Sequence, residues 1–275
     1  YQIDGYWNTN KYKSKSMIAL SISKFEDGVV NEDAVNISKE WIAVSDGAGG
    51  GGVFADKWSN YLVHHIPEKP ICDYQTFDKW IDNIWEQFYD ECEKIATIEG
   101  GMLLNKFYDE GSFATLVAVW NNGQWISYGD SVAFCYDKEF GTLQNSFGHI
   151  VDFNKPPYLI NCKDSTKKEG FKVGRFEKNN NSIVFATSDT FAHYILMMYK
   201  LSHIDKYYDE LQESISVRTK YSNIIKTAMN NKIDFEKDII NKILNCRNVT
   251  NFQRHLQSLV RKGLIGHDDY SLVIM

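Results

Sequence analysis

WIAVSDGAGGGG, residues 41–52, decides how the rest of this chain is read. Five residues of strand character, Trp41 to Ser45, run into Asp46 and a glycine-rich turn, and a helical pattern starts at Phe54. Glycines admit positive φ and let a ligand approach the backbone closely. An aspartate at the mouth of such a turn is a hard oxygen ligand carried on a rigid strand end.

Working outward from that turn, residues 17–23 and 33–37 read as two earlier strands, with the acidic loop FEDGVVNED between them. Downstream, Phe54, Trp58, Tyr61 and Leu62 form the apolar stripe of a helix over 54–66, ended by Pro67 and Pro70. A longer helix over 73–98 carries Phe77, Ile81, Phe88 and Cys92 as core filling, and Gly100 and Gly101 stop it. The period then changes to two. Residues 114–120, 124–129 and 132–136 predict an antiparallel meander, with an Asn-Gly hairpin signal at Asn122-Gly123. Residues 140–181 read as an irregular, mobile excursion over the sheet edge. A buried strand over 182–187 leads through Ser188-Asp189-Thr190 into a helix, residues 204–261 are largely helical, and 271–275 form a terminal strand.

The 275 residues suffice for a sizeable core, and 43% hydrophobic with 24% charged residues is the balance of a globular protein. No repeat or linker divides the chain, so one domain over 1–275 is expected. A net charge of −6 without a basic block argues against a nucleic-acid partner. No apolar run approaches the roughly 20 residues of a membrane span. Residues 1–13 lack a signal-peptide core, and the five scattered cysteines contain no C-x-x-C pair. Reduced thiols and a cytoplasmic location are the expectation.

Glu32/Asp33, Asp46, Asp130, Asp189 and Asp268/Asp269 nearly all flank apolar strands. Carboxylates converging at strand ends repel one another unless protonated or offset by cations. Oxygen ligands without a histidine or cysteine cluster favour Mg²⁺ or Mn²⁺.

These segments resemble, in order, the motifs of the metal-dependent type 2C protein serine/threonine phosphatases. They are Asn31-Glu32-Asp33-Ala34, Val44-Ser45-Asp46-Gly47-Ala48-Gly49-Gly50, Gly111-Ser112-Phe113-Ala114-Thr115, Tyr128-Gly129-Asp130-Ser131, Ala186-Thr187-Ser188-Asp189 and Asp268-Asp269-Tyr270-Ser271. The resemblance implies an α+β fold: a four-layer αββα sandwich of two stacked antiparallel sheets flanked by helices. It implies hydrolysis of phosphoserine or phosphothreonine on a phosphoprotein partner by a water bridging two Mn²⁺ or Mg²⁺ ions, with a third ion in many members. Asp46 would bridge the metals and hold the nucleophilic water, with the Gly47 carbonyl as a further ligand. Asp189 and Asp268 would hold one ion, Glu32 and Asp33 would support the cluster, and Asp130 would serve the third position.

Four departures stand out. Gly28 occupies the place of a phosphate-gripping arginine, Ala48 that of a histidine found in some members, Thr190 that of a glycine and Asp269 that of an asparagine. The long interval from Asp189 to Asp268 implies extra helices at about 200–262. Loss of the arginine supports an alternative, a catalytically weak or inactive pseudophosphatase acting as a regulatory binding module. The glycines at 47, 49 and 52 also match a dinucleotide fingerprint, a third reading opposed by the charge of Asp46 and the two following helices. His267, directly before Asp268, is a candidate for proton transfer; His64, His65 and His149 are read as ordinary surface residues.

Overall fold

A computed structural model describes residues 17–50 and 52–275, leaving Gly51 of the glycine turn outside the described residues. Strands β1 (Ile18–Ile22), β2 (Asp33–Ile37) and β3 (Trp41–Asp46) come first. Helices α1 (Ala55–His64), α2 (Tyr74–Glu99) and α3 (Gly101–Glu110) follow. Then come β4 (Phe113–Ala114), β5 (Leu116–Trp120), β6 (Gln124–Tyr128), β7 (Val132–Asp137), β8 (Thr142–Asn145), β9 (Ile160–Asn161), β10 (Phe171–Arg175) and β11 (Ser182–Thr187). Helices α4 (Asp189–Ser202), α5 (Ile204–Ser216), α6 (Lys220–Ala228), α7 (Asn241–Asn245) and α8 (Val249–Arg261) precede β12 (Tyr270–Ile274).

Two five-stranded sheets, ordered β1-β12-β11-β7-β8 and β10-β6-β5-β3-β2, stack face to face, and every pairing within them is antiparallel. Strand β3 shows why. Ile42 and Val44 enter the layer between the sheets with Val117, Val119, Ala133, Ala186 and Val273. Trp41 and Ala43 point the other way, to α1 and α2 with Trp58, Phe77 and Phe88. A strand buried on both faces reads as an unbroken apolar run rather than an alternation. The outer face of the other sheet, with Phe134, Phe185 and Leu272, packs on α4–α8 through Phe191, Leu211 and Phe252. The result is the expected four-layer αββα sandwich. Its antiparallel sheets remove the dinucleotide reading, which requires a parallel βαβ unit.

Three expectations are corrected. The predicted meander breaks after its first hairpin. β5 and β6 pair across Asn121-Asn122-Gly123, with Gly123 at φ +85°, but β7 lies in the opposite sheet between β11 and β8. The free edge of β6 is taken by β10, Phe171 facing Tyr128, and Gly129 at φ +97° turns the chain across the sandwich. Residues 140–181 are not simply an irregular excursion: they supply the edge strands β8 and β10 and the short ribbon partner β9 of β4. Finally, Gly100 and Gly101 (φ +70° and +56°) end α2 but form a corner from which α3 starts at once.

Candidate active site

The carboxylates gather at one end of the sandwich, where strands of both sheets stop. In the β2–β3 pair the register places Asp33 opposite Asp46, the first residue of one strand against the last of the other. Asp46 is held by its own backbone. Its N–H donates to Thr115 Oγ1 (3.1 Å), the Thr115 N–H donates to its carbonyl (2.8 Å), and Thr115 Oγ1 meets Ser131 Oγ at 2.7 Å. Thr115 and Ser131 therefore link the end of β3 to the Gly129-Asp130-Ser131 crossover. The crossover carries Asp130 from the first sheet to the second. Asp189 opens α4 and accepts from the Thr190 N–H. Asp268 precedes β12 and accepts from the Asp269 N–H at 3.0 Å.

The glycine turn is shaped by close approach. Gly47 donates its N–H to the Glu32 carbonyl (3.1 Å), and a Cβ there would lie 2.6 Å from the carbonyl oxygens of both Glu32 and Ala55. At Gly49 a Cβ would lie 2.1 Å from Glu32 Oε1, so Glu32 folds its carboxylate onto the turn. The Gly49 amide offers it a hydrogen bond that favours its charge.

Asp33 and Asp130 are buried, whereas Asp46, Asp189 and Asp268 keep an edge open to solvent. Burial pushes the Asp33 carboxyl up to about 8, with Asp269 and Asp189 adding to the rise. Burial raises Asp46 well above the usual carboxylate range, and the charges of Asp33, Asp189, Asp130 and Asp268 raise it further. Asp130 is pushed up to about 8 by burial and by Asp189. Asp189 reaches about 6 through burial and Asp268, while the Lys220 cation pulls the other way. The mutual repulsion shows that Asp33, Asp46, Asp130, Asp189 and Asp268 act on one another as a cluster. Glu32 stands at its margin, raised by burial and by Asp269.

Among the described residues, no three acidic, histidine or cysteine side chains are drawn close enough to form a ready-made metal cage. The donor set nevertheless fits a hard divalent cation. Both carboxylate oxygens of Asp33 are buried without a hydrogen bond of good geometry, although the Ser188 and Ser271 hydroxyls lie near enough to favour its charge. Buried oxygens left without donors, beside other carboxylates, are in the condition a cation relieves.

Asp268 and Asp269 are adjacent in sequence and differently engaged. Asp269 accepts from the backbone N–H groups of Lys24 (2.8 Å) and Glu32 (2.7 Å), clasping the segment before β2. Thr115, Ser131 and Ser188 lie within motifs quoted above, but the sequence assigned none of them a role. Of the histidines, His267 faces Glu26 at 3.4 Å on the exposed rim and His149 lies 3.6 Å from Glu210. Gly28 adopts φ +75° with open space around its Cβ position.

No protein-family model and no curated protein matches the sequence. The fold does find counterparts. The crystal structure of the Mycobacterium tuberculosis serine/threonine phosphatase PstP/Ppp aligns with 94% of this chain and 97% of its own, at a TM-score of 0.53 and 14% identity. The chain has the type 2C phosphatase fold. The catalytic domain of the serine threonine protein phosphatase PstP in complex with 2 manganese ions aligns over 94% and 96%, with a TM-score of 0.50 and 14% identity. At such identities the likeness to type 2C phosphatases is one of architecture. Among the described residues no helix is long and apolar enough to cross a membrane.

Proposed function

We propose that this chain is a metal-dependent phosphatase acting on phosphoserine or phosphothreonine in proteins, working as one cytoplasmic domain over 1–275. The observation that carries the proposal is the convergence of Asp33 and Asp46 from one sheet with Asp189 and Asp268 from the other and Asp130 from the crossover between them. Such a cluster is unfavourable by itself and repels a phosphate dianion. It becomes useful only with cations present.

Asp46, Asp189 and Asp268 would hold Mn²⁺ or Mg²⁺ with the Gly47 carbonyl. Asp33 and Glu32 would act in support, and Asp130 would serve a third ion. Bound divalent ions supply a water of lowered pKa and offset the charge of the phosphoryl group. Within that frame Asp46 orients the attacking water. The strands behind it hold the carboxylate still through Thr115, and the open edges of Asp46, Asp189 and Asp268 face the substrate.

Gly28 favours a second reading. With no arginine at this position and a backbone that side chains rarely adopt, the chain could bind phosphoproteins or partners and regulate them without turnover. Hydrolysis of a phosphothreonine peptide with Mn²⁺, with Mg²⁺ and in metal-free buffer decides between the two. Turnover that needs metal and disappears in Asp46→Asn supports the phosphatase. Metal-dependent heat stabilisation without turnover supports the regulatory module, and neither response refutes both.

A further inference from the structure

Outside the acidic cluster, a lysine-lined cleft lies in the helical layer formed by α4–α8. Its volume is about 650 Å³, and it opens between α4, α8 and the chain from the end of α6 into α7. Lys232, Lys242 and Lys262 stand on its walls, coming from three different segments. None of the three makes an ion pair or a side-chain hydrogen bond among the described residues. One acid, Asp238, accompanies them, and its Oδ2 already accepts from the Asp234 N–H at 2.9 Å.

Three uncompensated cations around one concavity are unexpected in a chain of net charge −6, where counter-ions are plentiful. Lys242 and Lys262 also share a neighbour. His255 also lines the cleft, and its Nε2 is buried without a hydrogen-bond partner. Burial holds His255 down at about 4, and the charges of Lys242 and Lys262 both act in the same direction, so both ammonium groups lie within electrostatic reach of one ring. Asp238 sits on a five-residue π turn, Glu236–Ile240, an irregularity that recurs where helices form sites. The remaining wall is mixed, with an apolar part formed by Tyr194, Leu264 and their neighbours and a polar part carrying Thr227, Asn231 and Ser258.

We propose that this cleft binds a small molecule carrying several phosphates, its charge received by Lys232, Lys242 and Lys262 and its body by the apolar wall. Either an inorganic polyphosphate chain or a nucleoside triphosphate has the required chemistry. The proposal does not depend on the phosphatase reading. It does, however, set a ligand beside two segments that lead to the acidic cluster: α4, which begins at Asp189, and the stretch from Leu264 to Asp268.

The test is calorimetric titration of the whole chain, freed of metal on a chelating resin so that the carboxylate cluster repels anions, with tripolyphosphate and separately with adenosine triphosphate. Saturable one-to-one binding is expected for at least one of them. It should weaken roughly a hundredfold or more in a Lys232→Gln/Lys242→Gln/Lys262→Gln variant, since each of the three charge-assisted hydrogen bonds carries about a tenfold share of affinity. Asp46→Asn should bind as the wild type does. Tighter binding of the nucleotide assigns the apolar wall to the base; equal binding assigns recognition to the phosphates alone. The inference is overturned if neither probe saturates, or if binding survives the triple variant, whose circular dichroism spectrum and urea midpoint should match the wild type because all three lysines are exposed.

Discussion

Asp33→Asn should make the metal-free protein more stable at high pH. The carboxyl of Asp33 is held up to about 8 in the fold by burial, with neighbouring carboxylates adding to the rise. In the unfolded chain an aspartate titrates near 3.9. Between those values the native state binds a proton that the unfolded state has released, so raising the pH favours unfolding. From pH 5 to pH 8 the slope of about 1.4 kcal/mol per pH unit accumulates to roughly 4 kcal/mol from this one group. The amide cannot ionise, so the variant should lose most of that slope. In urea, with a denaturant slope of about 1–3 kcal/mol per molar, the wild-type midpoint should fall by one molar or more across the window; the variant midpoint should fall too, because Asp46 and Asp130 are raised as well, but by less. Adding Mn²⁺ at pH 8 should restore the wild type and leave the variant short of the same gain. If wild type and Asp33→Asn keep parallel midpoints from pH 5 to 8 in metal-free buffer, the placement of an ionisable Asp33 inside the cluster is wrong.

Other outcomes follow from the same geometry. Asp46→Asn and Asp189→Asn should each abolish metal-dependent turnover while leaving the circular dichroism spectrum intact; activity kept by both removes the proposed site. Gly47→Ala should cost about 2 kcal/mol of stability in urea melts, because its Cβ would meet two backbone oxygens that have no rotamer to retreat into. Gly28→Arg should lower stability by about 1 kcal/mol, the strain of positive φ, yet lower the KM for a small aryl phosphate if a missing phosphate grip limits the enzyme. An unchanged KM with metal binding intact would dismiss that explanation.

The strands β3, β5 and β11 were legible because they are continuous apolar runs, whereas their stacking into a four-layer sandwich was implied only by the resemblance carried by the acidic motifs. The acidic positions were legible because each sits where an apolar run stops. What escaped was governed by contacts distant in sequence. FKVGR of β10 carries lysine and arginine with no alternation, as edge strands do, and only its pairing with β6 makes it a strand. The crossover at Gly129 looks like any hairpin turn until β10 occupies the edge that β7 would have used. The division of labour between Asp268 and Asp269 depends on two backbone amides, at Lys24 and Glu32, more than 230 positions away.

Because the crossover hands the chain from one sheet to the other at Asp130, the acidic cluster straddles a seam. Asp33 and Asp46 ride on one slab, while Asp189 and Asp268 ride on its mate. The gap between slabs is gauged by the small residues packed there, Ala133 and Ala186 among them. A methyl group added at either would act as a shim, prying apart two halves of the acidic cluster without touching any residue in it. In this architecture the dry interior serves as the jig against which the polar rim is aligned. Drift in the dullest part of the sequence is therefore a route by which activity could be tuned or extinguished.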